Sequence, residues 1–170
     1  MSKLSFDQFT KKIYIRAPLN QLYDLWGTPG GITSWFLKAA TYTSGQGKER
    51  ATNEKFAPGD SYAWRWHNWD GMEKGLVLQA NGKDFLEFTF EQSMVSITLE
   101  KQEKATLLTL RQYDIPTDNE SKLNIHHGCS NGWTFWLANL KAYVEHGILL
   151  NETEFDLTNI PQAGFEFVNM

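Results

Sequence analysis

The sequence is poor in the features that would announce a chemistry. It has one cysteine, Cys129, in 170 residues, so no internal disulfide can form and a disulfide-stapled scaffold is excluded. No run approaches the roughly 20 apolar residues that a bilayer span needs, so no transmembrane helix is expected. The opening MSKLSFDQF lacks the apolar stretch of a signal peptide, and the expected address is the cytoplasm. Sixteen Lys and Arg face twenty Asp and Glu, for a net charge of −4, and the cations are scattered. A phosphate-tracking surface is therefore missing, and nucleic acid is not an expected partner.

Catalytic signatures are equally scarce. The histidines are His67, His126, His127 and His146, with no HExxH or Cys/His zinc spacing. Adjacent His126 and His127 would project about 100° apart on a helix and cannot easily share one site. There is no nucleophile elbow, P-loop or dinucleotide fingerprint. No catalytic set, metal or cofactor is expected.

Aromatic side chains are abundant: seven Trp, eleven Phe and six Tyr, 14% of the chain. They mean either a large core or a sheet face lining a ligand pocket, since such pockets are mostly apolar and aromatic. At this length and 41% hydrophobic content, one domain over 1–170 is expected, with its core at 9–147 and an arm at 148–170.

Periodicity orders the elements. Phe9, Ile13 and Ile15 alternate with Lys12, Tyr14 and Arg16 in a first strand. Pro18 opens a short helix with Leu19, Leu22, Tyr23, Leu25 and Trp26 on one stripe, ended by Gly27. Thr28 then caps a second short helix with Pro29 in its first turn. Residues 36–43 read as a strand and 44–58 as a long surface loop. Period two returns with Tyr62, Trp64 and Trp66 opposite Ala63, Arg65 and His67, and Asp70-Gly71 marks a hairpin. Leu76 and Leu78; Leu86, Phe88 and Phe90; Val95, Ile97 and Leu99; and Leu108 and Leu110 continue the inward pattern in four more strands, the first two joined at Asn81-Gly82. Short connections predict an antiparallel meander with one wet face.

A long helix is predicted over Thr117–Gly147. A capping box at Thr117 and Glu120 would start it, and Trp133, Trp136, Leu137, Leu140 and Val144 would form its apolar stripe. About 28 residues would span roughly 40 Å, enough to cross the sheet. Gly128 and Gly132 are anomalous, each costing about 1 kcal/mol against Ala. They mark either a kink that delays the regular helix to about residue 130 or the close approach of a strand or ligand.

The order of strand, two short helices, meander and long helix resembles the START-like helix-grip fold, an α+β fold with a curved antiparallel sheet of about seven strands wrapped on a C-terminal helix. Local pieces sharpen the likeness: Ile13-Tyr-Ile-Arg-Ala-Pro18, Trp35-Phe36, Ala57-Pro-Gly-Asp60, Gly75-Leu-Val-Leu78, and Gly132-Trp133 followed by Leu137, Leu140 and Tyr143. These resemble bacterial homologues of the activator of the heat-shock-protein-90 ATPase, within the superfamily of polyketide cyclases and lipid-transfer domains. The likeness covers about residues 9–147. It implies an apolar cavity between sheet and helix and carries over no catalytic residues.

The expected occupant is a small hydrophobic or amphipathic molecule, lipid-like or polyketide-like, held by Tyr62, Trp64, Trp66, Leu76, Leu78, Phe88, Phe90, Ile97, Leu108, Leu110 and Gln112 of the sheet and Trp133, Trp136, Leu137 and Leu140 of the helix. Gln112 is the polar candidate inside, or else a satisfied backbone contact. Arg65 and His67 would orient a ligand head only if their strand were flipped. Cys129 is a small buried hydrophobe or, with His126 three positions earlier, a nucleophile. Two other functions stand beside ligand binding. One is a stress-linked co-chaperone whose partner is a chaperone, weakened by the extra aromatic tail and the missing N-terminal domain. The other is a cyclase-like enzyme using Gln112 and His127.

Overall fold

The computed structural model describes residues 4–170; Met1 to Lys3, part of the opening segment and of the 1–170 span read above, lie outside the described residues. The strands are β1 (Gln8–Ile15), β2 (Ala39–Thr43), β3 (Ser61–Arg65), β4 (Met72–Ala80), β5 (Phe85–Phe90), β6 (Ser93–Lys101) and β7 (Thr106–Tyr113). They form one antiparallel sheet in the order β1-β7-β6-β5-β4-β3-β2. β1 pairs with the last strand, so the meander curls back on its beginning. Two helices, α1 (Leu19–Gly27) and α2 (Pro29–Thr33), separate β1 from β2. A long helical run lies against the concave face. This is the START-like helix-grip architecture.

Local chemistry explains most boundaries. Thr28 Oγ1 accepts the Gly31 N–H at 3.0 Å, and Pro29 takes the first-turn position where a missing N–H costs nothing. At the β4–β5 turn, Asn81 Oδ1 accepts the N–H groups of Lys83, Asp84 and Phe85 while Gly82 takes φ 73°. β2 begins at Ala39 rather than at 36, because Trp35, Phe36 and Leu37 are buried behind α2. The 44–58 segment is not wholly a surface loop. Phe56 is buried and stacks on Tyr42 with ring centroids 3.4 Å apart, and Arg50 closes the loop with paired bonds to the buried Asp60 at 2.8 and 2.9 Å.

β4 departs from the expected phase. Trp64 opposes Glu73 and Tyr62 opposes Gly75, so the odd positions of β4 turn inward. Val77 is buried, whereas Leu76 is 48% exposed. A bulge between Val77 and Gln79 then restores the opposite phase, and Leu78 sits partly exposed at that bulge. Leu76 and Leu78 are therefore not inward core positions. Gly75 is required where it stands: a β-carbon there would lie 2.6 Å from the Tyr62 ring, which crosses it so that Tyr62 OH donates to Thr89 O.

The long helix begins with Asp118, not with the Thr117–Glu120 box; Asp118 accepts from Ser121 N at 2.9 Å. α3 (Asn119–Ser121) runs into a π-helical stretch, Lys122–His127, and then α4 (Gly128–His146). The wider turn explains why the apolar stripe settles only after Gly128. From α4, Trp133, Trp136, Leu137 and Leu140 are buried at the expected spacing. Gly147, at φ 66°, caps it in the left-handed conformation. The fully buried Trp26, Trp35 and Trp64 each remove about 200 Å² from water, about 5 kcal/mol apiece before ordering costs.

Residues 148–170 fold back on the body. Asn139, buried on α4, donates to Trp35 O at 2.7 Å and accepts the Leu150 N–H at 2.6 Å. Asn68, buried beside the β3–β4 connection, donates to Phe155 O and accepts from Leu157 N. Leu157 and Ala163 are buried, and α5 (Ala163–Glu166) follows. No helix among the described residues is long and apolar enough to cross a membrane.

Candidate functional site

Most of the space between sheet and helix is filled. Tyr62, Trp64, Phe88, Ile97, Leu108, Leu110, Leu137 and Leu140 are buried core residues, packed with Trp26, Trp35 and Tyr42. Their inward phase suits a wall or a core equally well, and the mass contributed by α1 and α2 makes them core. Phe36 is the hub, with ring centroids 5.0 to 5.9 Å from Trp35, Trp64, Trp66, Trp133 and Trp136.

An apolar cleft of about 270 Å³ remains at one end. Trp66 brings the end of the aromatic strand, Phe90 the end of β5, and Trp133 and Trp136 the helix. Phe36, Asn124, Gly128, Cys129, Gly132, Gly164 and Phe165 complete it. Half-exposed Phe165 stands at the mouth. The volume is far above the ~10–15 Å³ that one water needs and just below the ~300 Å³ at which ligand pockets commonly begin.

The two helix glycines belong to this cleft. A β-carbon at Gly132 would meet no heavy atom within 4 Å, so the position opens on empty space. At Gly128 it would touch the Phe165 ring and Leu123 O at an ordinary 3.7 Å. Gly128 directly follows the π-helical stretch, and among the described residues no strand lies within 4 Å of the β-carbon position of either glycine.

Gln112 faces inward but does not line the cleft. Its Oε1 accepts the Trp133 Nε1–H at 2.9 Å, and its Nε2 donates to Ser93 Oγ at 2.8 Å, which donates to Phe90 O at 2.8 Å. This buried chain positions two cleft walls, Trp133 and Phe90, against each other. The pair named for a cyclase-type reaction is not brought together: His127 is exposed, with its Nε2 3.2 Å from Asn131 Nδ2. His126 contacts Gln8 O and the rings of Phe6 and Phe9 rather than Cys129. Burial pushes the Cys129 thiol up to about 12, with Gln112 offsetting part of the effect, so it stays protonated and unreactive near neutrality. Arg65 is exposed on the outer face, and partial burial lowers the pKa of His67, assisted by Lys38. Among the described residues no cluster of three metal-ligating side chains occurs.

Phe36 and Phe165 were the unrecognised walls. Trp35-Phe36 was visible as a motif, but nothing periodic placed it under the helix, and the arm has no period at all.

The sequence model described as "Activator of Hsp90 ATPase homolog 1-like protein" matches residues 16–145, about three quarters of the chain. The chain belongs to that family. No curated protein matches the sequence. Among solved structures, a protein from Staphylococcus saprophyticus is 20% identical with a TM-score of 0.67, the match covering 84% of this chain and 95% of that one. The Aha1 dimer from Colwellia psychrerythraea is 18% identical with a TM-score of 0.63, over 82% and 97%. DynU16, a protein of the dynemicin biosynthetic locus, is 17% identical with a TM-score of 0.64, over 83% of this chain and 48% of that one. At such identities the likeness establishes the fold alone.

Proposed function

We propose that this protein binds a small apolar or amphipathic molecule in the cleft between the sheet and the first turns of α4. The observation that carries this reading is an apolar cleft of about 270 Å³ with six aromatic side chains in its wall and a helix glycine, Gly132, facing open space. Trp66, Phe90, Trp133 and Trp136 are the contacts shared with the sequence reading, joined by Phe36 and Phe165. The space suits a single ring with a short chain. Burying about 200 Å² of such a ligand supplies about 5 kcal/mol before the cost of association, so weak binding is expected for a molecule this small. A larger lipid-like or polyketide-like molecule requires Phe165 and the arm to move aside.

The test is titration with 4-phenylbutanol followed by tryptophan fluorescence, because Trp66, Trp133 and Trp136 all report on the cleft. Mass spectrometry of the gently purified protein runs beside it. Saturable quenching in the parent, lost in Gly132→Phe, supports the reading. No fluorescence change together with a clean apo mass removes it.

The family description favours a second reading, activation of a heat-shock-protein-90 ATPase. Addition of the protein to the purified chaperone tests it directly, and unchanged ATP turnover at tens of micromolar removes it.

A further inference from the structure

Charge lies beside the cleft rather than in it. Its lining contains no charged side chain of either sign, and the nearest wall, at Phe90, is flanked by carboxylates. Glu73 enters from β4 on the inward face, opposite Trp64, and is only partly exposed. Its Oε1 accepts the N–H of Glu91 at 2.9 Å, and Glu91 directly follows the cleft residue Phe90. The Glu73 carboxylate is thus held against the Glu91 backbone at the end of β5, with Glu91 in the left-handed conformation at φ 52°. Among the described residues neither has a cationic partner.

The negative surroundings continue outward. An adjoining pocket of about 400 Å³ shares Asn124 with the cleft and is lined by Glu91, Asp118 and Glu120. The field reaches inward too, since Glu91 and Glu73 both oppose ionisation of the Cys129 thiol in the cleft wall. Burial, together with the charge of Glu91, holds the Glu73 carboxyl above its ordinary range.

A partly buried carboxylate, Glu73, with the exposed Glu91 beside it and no counter-charge is unfavourable, and a nearby cation relieves it. The aromatic wall points the same way. Indole and phenyl faces carry negative quadrupole density and attract ammonium groups, Trp most strongly, while they repel anions.

We infer that the cleft selects amphipathic organic cations, with a single-ring apolar body among Phe36, Trp66, Phe90, Trp133 and Trp136 and an ammonium head turned toward Glu73 and Glu91. This rests on the binding function proposed above and adds the charge class of its ligand.

Three probes share one body and differ in head: 4-phenylbutylammonium, 4-phenylbutanol and 4-phenylbutyrate. Titrated by calorimetry at low and high salt, the ammonium is expected to bind about tenfold more tightly than the alcohol, and the carboxylate more weakly than the alcohol. Added salt narrows the spread. Glu73→Gln and Glu91→Gln each lower the ammonium-to-alcohol affinity ratio about threefold or more. Glu73→Gln keeps an acceptor for the Glu91 N–H, and thermal melting verifies that both variants fold. Equal affinities for all three heads, a preference for the carboxylate, or an unchanged ratio in both variants overturns the charge inference while alcohol binding still upholds the cleft. Failure of all three probes to bind overturns both.

Discussion

Gly132 offers the sharpest test of whether the cleft is kept open at a cost. Glycine in a helix interior is less favourable than Ala by about 1 kcal/mol. A methyl at Gly132 meets nothing within 4 Å, so no overpacking cost opposes the gain. Gly132→Ala should therefore stabilise the fold by about 1 kcal/mol and raise Tm by about 2–4 °C for a chain of this size. Gly75→Ala is the control of opposite sign. Its new methyl would lie 2.5 Å from Thr89 Oγ1 and 2.6 Å from the Tyr62 ring, and overpacking should cost about 1–3 kcal/mol. Equilibrium urea unfolding measures both. In the same samples, Gly132→Ala should weaken 4-phenylbutanol binding a few-fold, while Gly132→Phe, whose ring fills the space, should remove it. That combination, greater stability with poorer binding, is the usual signature of a position held for function. A Gly132→Ala protein less stable than the parent, or one that is more stable and binds equally well, refutes the reasoning.

Three other outcomes follow from named groups. Asn139→Ala leaves the buried Trp35 carbonyl unpaired and frees Leu150, for a loss of about 1–3 kcal/mol; chymotrypsin should then cut within 148–167 faster than in the parent, and an unchanged cleavage rate would show that the arm is anchored elsewhere. Iodoacetamide should alkylate Cys129 at pH 8 about a thousandfold more slowly in the native than in the urea-unfolded protein, because burial raises the thiol to about 12; similar rates in both states would contradict that placement. The Glu145 carboxyl is held down to about 2 by its bond from Lys141 and by the Arg16 N–H. Its folded pKa lies below the ordinary 4.5, so its stabilisation is complete above about pH 4.5 and is lost as pH falls toward 2. Glu145→Gln should lower Tm at pH 7 and flatten its decline over that window, and parallel Tm-against-pH curves for the two proteins would exclude the effect.

Elements governed by neighbours in the chain were legible without a structure. The Thr28–Pro29 helix start, the Asn81-Gly82 turn, the Gly147 cap and the stripe from Trp133 to Leu140 each depend on contacts within about one turn, so residue type and spacing suffice. The meander order followed from short connections, and the anomaly of Gly128 and Gly132 was visible as a propensity conflict. What stayed hidden depended on packing across the chain. A period of two carries no absolute phase, and the bulge at Val77–Gln79 decided that Gly75 and Val77, not Leu76 and Leu78, turn inward. Inward aromatics are equivalent on a pattern, yet Trp64 and Phe88 became core while Trp66 and Phe90 became wall, because α1, α2 and Phe36 fill one end of the space and not the other. Asn139 and Asn68 looked like ordinary polar residues until the arm supplied their partners from distant sequence. Local periodicity thus determined that this chain would lay a long helix across a curved aromatic sheet. Where an opening survives was settled by long-range packing, because volume is shared among residues that are neighbours only in space.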